Sequence, residues 1–320
     1  MSELLAIEQR SGSSEAQPWI LDQQGRRLEG RDHDRRLLEL RTGLARHAGV
    51  HLTEADVDGE EVARTVSALH EPDYLCALAH VDSREPVLME HFTAPGMAPD
   101  TPVCVGVAAV AYEGVRTAIT AARRILDGAH YSYALCRPPG HHAGPGWLGG
   151  YCYLNNAAAA VQTLREAGVG PIGILDLDIH YPNGTAAIAA HMSDTSLHSL
   201  HASPVANSPS GTAEPLSARE RLVAFAEPPS EARYLSALAG SIDTLAHDAA
   251  VLVLSLGYDT VRGDPHGCWT FYPSIFTDIG RLLADSQLPV CVVQEGGYEL
   301  DTLAACSRAF AAGLLGGPEE

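Results

Sequence analysis

Asp176, Asp178 and His180 fall two residues apart in the run Asp176-Leu177-Asp178-Ile179-His180. On an extended chain, residues two apart share a face. The spacing therefore predicts two carboxylates and an imidazole in line, with Leu177 and Ile179 turned the other way. Three ionisable groups on one face of an apolar strand are costly to bury unless they are paired or hold a cation. A salt-bridge ladder would need basic neighbours, and none lies near them in sequence. A metal ion is the economical partner. Carboxylate and imidazole donors suit zinc, and an oxygen-rich set also suits Fe2+, Co2+ or Mn2+. A third ligand that leaves one position open to water is expected between Ser255 and Pro265, where Asp259 and Asp264 compete on sequence grounds.

Two further runs fit a hydrolytic metal centre. His141 and His142 are adjacent in Arg137-Pro138-Pro139-Gly140-His141-His142-Ala143, a loop stiffened by proline and glycine. Beside a metal that lowers the pKa of its water toward about 7, one imidazole can take a proton from the water. The other can protonate the leaving group, and such acid–base help is worth about 10² to 10⁴ in rate. In Gln294-Glu295-Gly296-Gly297-Tyr298 the glycine pair allows a sharp turn that brings Tyr298 to a site. Its hydroxyl suits a developing oxyanion. Taken alone, the histidine pair reads as a surface loop and the tyrosine as core packing; together with the acids they read as one centre.

The elements that must position these residues alternate. Apolar strands are expected at Tyr131–Cys136, Ile172–Ile179, Thr195–His201, Val251–Gly257 and Val290–Gln294. Helices are expected over 34–47, 60–69, 71–80, 105–127, 155–167, 233–249, 276–284 and 300–314, with a break at Glu71-Pro72. Residues 9–16 read as a polar loop. Continuous apolar strands between helices predict a parallel sheet covered on both faces, whose functional groups gather beyond the carboxyl ends of the strands. His141-His142, Asp176, Asp178, His180, Asp264 and Tyr298 all fall at such ends.

The chain has 320 residues, 46% of them hydrophobic, and a formal charge of −19. That size and composition allow one large α/β domain. The acidity argues against nucleic acid or an anionic membrane as partner; it suits a cationic small molecule or simply well-solvated faces. Seven cysteines without a CxxC pair read as buried thiols in a reducing compartment. The start shows no basic segment and apolar run of a signal peptide, and no stretch reaches membrane-span length, so a cytoplasmic location is expected.

These motifs occur together, in order, as RPPGHHA (137–143), GGYCYLNNAA (149–158), ILDLDIHYPNGT (174–185), SLH (199–201), LGYDTVRGDP (256–265) and EGGY (295–298). The chain thereby resembles the histone deacetylase and acetylpolyamine amidohydrolase family, in a class II-like, zinc-dependent form. The resemblance is strongest over residues 130–300, and HEPDYLCAL (70–78) carries it upstream. It implies the arginase/deacetylase fold, a largely parallel eight-stranded sheet between helices, in a single catalytic domain over 1–320. It implies Asp178, His180 and Asp264 as zinc ligands, which decides for Asp264 against Asp259. His142 becomes the general base, or base and acid combined, and His141 its electrostatic partner. Asp176 and Asn183 orient them, and Tyr298 serves the oxyanion. A structural potassium ion is implied at Asp176, Asp178, His180, Ser199 and Leu200, mostly through backbone oxygens. Gly150 and Tyr151 match the wall of a substrate tunnel.

The chain departs from the family pattern in three places: Tyr181-Pro182 after the ligand histidine, a tyrosine at 151 where phenylalanine is usual, and a different, shorter stretch over 202–222. The reaction is therefore read more firmly than its substrate. The implied activity is removal of an acetyl or other short acyl group from an amine, first an N-acetylpolyamine. The alternatives are a protein lysine deacetylase, a deacylase of a specialised biosynthetic pathway and, last, an inactive binding protein. Binuclear manganese arginases share the fold but need a second ligand set with a histidine between aspartates, which this run does not offer. Self-association into a homo-oligomer is left open.

Overall fold

Runs such as Val251-Leu252-Val253-Leu254 are apolar at every position because helices cover both faces of the strand. In the computed structural model, which describes residues 3–9, 19–22, 25–94, 99–203 and 214–317, these runs lie in an eight-stranded sheet. Its strands are β1 (Leu4–Glu8), β2 (Val50–Glu54), β3 (Tyr131–Leu135), β4 (Ile172–Asp176), β5 (Thr195–Ala202), β6 (Glu220–Phe225), β7 (Val251–Leu256) and β8 (Val290–Gln294). Their order across the sheet is β6-β5-β4-β7-β8-β3-β1-β2, and every pairing is parallel. Two short antiparallel pairs lie outside it, Trp19–Leu21 with Arg27–Glu29 and Val87–Leu88 with Pro102–Val103.

The helices are α1 (Asp34–Leu44), α2 (Gly59–Leu69), α3 (Pro72–Ala79), α4 (Val107–Leu126), α5 (Asn156–Glu166), α6 (Asn183–Ala189), α7 (Glu231–Asp248), α8 (Ile275–Asp285) and α9 (Leu300–Leu315). Strand residues alternate between two cores. Ile172, Ile174, Val251, Val253, Cys291 and Val293 pack with α2 to α6. Leu175, Leu252, Leu254, Leu256, Val290 and Val292 pack with α1, α7, α8 and α9. Each such side chain contributes about 1.5–3 kcal/mol on burial. Local signals set the helix starts: the Asp58, Asn155 and Ser230 side chains each accept an amide of the first turn. Pro72 sits in the first turn of α3.

The eight expected helices are present within a few residues of their expected bounds. The sheet differs more. The strand expected over Ile172–Ile179 ends at Asp176. Beyond it the amides leave the ladder for carboxylates: Asp178 N–H donates to Asp176 Oδ1 (3.2 Å), and His180 N–H donates to Asp178 Oδ1 (3.0 Å). A carboxylate-stitched turn, rather than one strand face, carries Asp178 and His180. Strands β1, β2 and β6 and helix α6 were not expected from the residues alone; β6 takes up part of the divergent 202–222 stretch, of which 204–213 lie outside the described residues. Most of the 9–16 loop also lies outside them. No helix of the described residues is long and apolar enough to cross a membrane.

Candidate active site

The sheet order sets β4, β7, β8 and β3 side by side, so the segments leaving their carboxyl ends converge. Asp178 and His180 follow β4, Asp259 follows β7, Gly296 to Tyr298 follow β8, and His141-His142 follow β3. Side-chain donor atoms of Asp178, His180 and Asp259 lie within 4.8 Å of one another. His180 Nδ1 is 2.9 Å from Asp178 Oδ1 and 3.2 Å from Asp259 Oδ2. Backbone amides take two of the other oxygens: Gly296 N–H donates to Asp178 Oδ2 (2.9 Å) and Ile179 N–H to Asp259 Oδ1 (3.0 Å). Glycine at 296 is required for this approach, because a Cβ there would stand 2.5 Å from Asp178 Oδ2 and 2.9 Å from Asp259 Oδ2.

Asp259 Oδ2 is buried and receives no hydrogen bond among the described residues. Burial, and then the charge of Asp178, push the Asp259 carboxyl well above the usual carboxylate range. Asp178 is held well below that range, because His141 and His180 outweigh the burial that opposes its charge. Two buried carboxylates and an imidazole, one oxygen still lacking a donor, fit a divalent cation.

Asp264 does not join this group. Its Oδ1 accepts from His266 N–H (2.9 Å), and its Oδ2 accepts from Tyr298 N–H (2.6 Å) and Glu299 N–H (3.2 Å). These hydrogen bonds leave Asp264 able to serve as the expected third ligand, because a carboxylate oxygen that accepts an amide keeps further lone-pair capacity for a cation. Three amides of the chain orient the Asp264 carboxylate, as ligating carboxylates commonly are oriented, while Asp259 Oδ2 lies beside His180 Nδ1. Asp259 lies three residues past β7, and Asp264 stands five residues further on in a Gly-Asp-Pro turn.

Both histidines are buried. His141 Nδ1 lies 3.3 Å from Asp176 Oδ2, and His142 Nδ1 lies 2.7 Å from Asn183 Oδ1, on the first residue of α6. The two partners separate the rings electrically. For His141, burial opposes the charge but Asp178 and Asp176 outweigh it, pushing the imidazole up to about 10. For His142, burial and the neighbouring His141 and His180 hold the ring well below its usual range. The loop is fixed from below. Thr185 N–H donates to His141 O (3.0 Å), Asn155 Nδ2 to Ala143 O (2.9 Å), and His70 Nδ1 to Gly144 O (2.8 Å).

Tyr298 is 7% exposed, and the Arg36 guanidinium lies 4.4 Å from its ring centroid. Tyr151 and His266 pack against it, with ring centroids at 5.3 and 4.9 Å. The Tyr151 backbone is left-handed (φ 69°), an uncommon conformation for a tyrosine. Its hydroxyl accepts from Arg31 N–H (3.2 Å) and lies 3.1 Å from His266 Nε2. Gly150 N–H donates to Asp100 (3.1 Å). Ser199 lies opposite Asp176 in the register of β4 and β5; Leu200 packs its side chain in the core, leaving only its backbone toward any ion. Arg36, Asp100, His266 and Glu295 were not singled out from the sequence, since only the fold brings them here.

The histone deacetylase domain model matches residues 32–314. The acetylpolyamine amidohydrolase of Burkholderia pseudomallei is 38% identical over 212 residues, 64% of this chain and 62% of that protein. The acetylpolyamine amidohydrolase of Mycoplana ramosa is 36% identical over 224 residues, 63% of this chain and 61% of that protein. A crystal structure of acetylpolyamine aminohydrolase from Burkholderia pseudomallei superposes with a TM-score of 0.82 at 29% identity, covering 98% of this chain and 99% of that one. The matched segments thus span about three fifths of the length of the curated relatives.

Proposed function

The chain belongs to the histone deacetylase domain family, and from that premise we propose that it is a metal-dependent amidohydrolase that removes an acetyl group from an N-acetylpolyamine or a similar small acylated amine. One observation carries the reading: the buried acid and imidazole cluster around Asp178 and His180, to which Asp264 would supply the third ligand, stands beside two buried histidines with unlike partners. Zinc is the first choice of ion, and it would supply Lewis acidity and a water of lowered pKa.

The chain's own groups supply the rest. Asn183 Oδ1 can only accept, so His142 carries its proton on Nδ1 and offers the Nε2 lone pair as the base. Asp176 favours the charged form of His141, which stabilises negative charge nearby. The Tyr298 hydroxyl donates to the carbonyl oxygen as charge develops there. Tyr151, Gly150 and His266 wall the approach to Tyr298. A potassium ion at the backbone of Asp176, Asp178, His180 and Leu200 and at Ser199 would brace the turn after β4. The formal charge of −19 favours a cationic substrate, and seven free cysteines, five of them buried, suit the cytoplasm.

The test is zinc-loaded protein assayed on acetylated polyamines, acetyl-lysine peptides and other acylated metabolites. Acetylpolyamines should be turned over best, with kcat/KM for acetylspermidine falling as salt rises. Preference for peptides would make it a protein lysine deacetylase, and inactivity on every acylated amine would overturn the reading.

A further inference from the structure

Glu295 opens the segment that ends in Tyr298, yet it has no part in the reaction described above. Its side chain is fully buried. Oε2 accepts two consecutive amides of the histidine loop, Gly140 N–H at 2.7 Å and His141 N–H at 3.1 Å. Hydrogen bonds to a carboxylate are stronger than neutral ones. The backbone of Glu295 is itself held: its N–H donates to Leu256 O (2.9 Å), and its O accepts from Arg36 Nη2 (2.6 Å). Oε1 receives no hydrogen bond among the described residues. A buried carboxylate left half-satisfied is a cost, and nothing in the packing of β8 requires it.

The Gly140-His141 amides have no strand partner, so the loop depends on what surrounds it. On one side stands the start of α5: a Cβ at Gly140 would lie 2.5 Å from Asn156 N. On the other stands Glu295. Cys152 and His141 lie close to the same carboxylate. These three do not form a second cation site, because His141 directs Nδ1 to Asp176 (3.3 Å) and Nε2 toward Asp178 (3.6 Å).

We propose that Glu295 is a positioning residue: by gripping the Gly140 and His141 amides it fixes the His141-His142 pair relative to Tyr298, three residues along its own segment. This rests on reading the site as an acid–base centre. Loss of the grip lets the imidazoles drift, and a displacement of about 1 Å costs about 10² in rate without weakening substrate binding.

Glu295→Gln keeps an acceptor oxygen, whereas Glu295→Met keeps the length and bulk without one. The Met variant should lose about 10²-fold in kcat, with KM within about twofold and metal content unchanged. Amide exchange over residues 138–143 should quicken in it. The Gln variant should restore both readouts to within about fivefold of the wild type. The proposal is overturned if the Met variant keeps its kcat, if KM shifts as much as kcat, or if Gln is as slow as Met. Should the Met variant fail to fold, Glu295→Asp, one methylene short, takes its place and should be slow. Exchange needs no substrate, so it reports the grip even if the wild type proves inactive on acylated amines, a result that would sink only the functional reading.

Discussion

Asp259 and Asp264 stand five residues apart on one segment, both buried and both aspartates, yet they are opposite in character. Asp259 keeps one oxygen without a donor beside Asp178 and His180, while Asp264 has three amides on its two oxygens. The first has the His180 imidazole at 3.2 Å. The second holds the backbone of Tyr298 and keeps lone-pair capacity for a cation. These donor sets come from the fold and are not legible in the spacing of the two aspartates.

That contrast is open to direct attack. Asp264→Ala should abolish metal binding and lower turnover by at least about 10³, and full metal content by elemental analysis would point to Asp259 as the ligand. Tyr298→Phe should cost about 10² to 10³ in kcat with metal retained; unchanged turnover would remove the tyrosine from its role. Asp259→Ala should keep its metal and lose about 10- to 100-fold in kcat through a loosened Ile179–His180 backbone, whereas loss of metal would make Asp259 a ligand. Tyr151→Phe deletes only the hydroxyl between Arg31 N–H and His266, so kcat should change by about threefold or less. Its signature should be a shift in acyl-chain preference, and an unaltered profile would leave the hydroxyl without a part in selection.

The smallest effect extends the contrast to imidazoles. His141 has carboxylate partners, but His70 has only backbone ones, Gly144 O and the Asn155 amide, and burial pushes it down to about 4. As pH falls below about 6.5, the unfolded chain takes up a proton that folded His70 refuses. The contribution of His70 to stability should therefore be flat above that pH and fall by about 1.4 kcal/mol per unit between about 6.5 and 4. Denaturant titrations should show a shallower fall in His70→Gln, and an identical slope would contradict the assignment.

The centre of the fold was legible because β3, β4, β7 and β8 are apolar through nearly every position; β5 is largely polar in type yet mostly buried. The flanking strands were not. Strand β2 is Val-His-Leu-Thr-Glu with no buried residue, and β6 begins Glu-Arg beside residues that read as loop. Such strands owe their place to a neighbour's open edge rather than to their own pattern. In the site, His141, His142, Asp178, His180 and Tyr298 were readable as chemistry-bearing types in glycine- or strand-framed positions. Glu295 was not, because a glutamate next to two glycines signals nothing until Gly140 and His141 arrive beside it.

Strand β8 is the last of the sheet to be synthesised, yet it pairs with β7 on one side and β3 on the other. Without it the sheet is two pieces: β6-β5-β4-β7, bearing Asp178, His180 and Asp259, and β3-β1-β2, bearing the histidine loop. One strand thus joins the part of the sheet that carries Asp178 and His180 to the part that carries the histidine loop, and Tyr298 leaves its end.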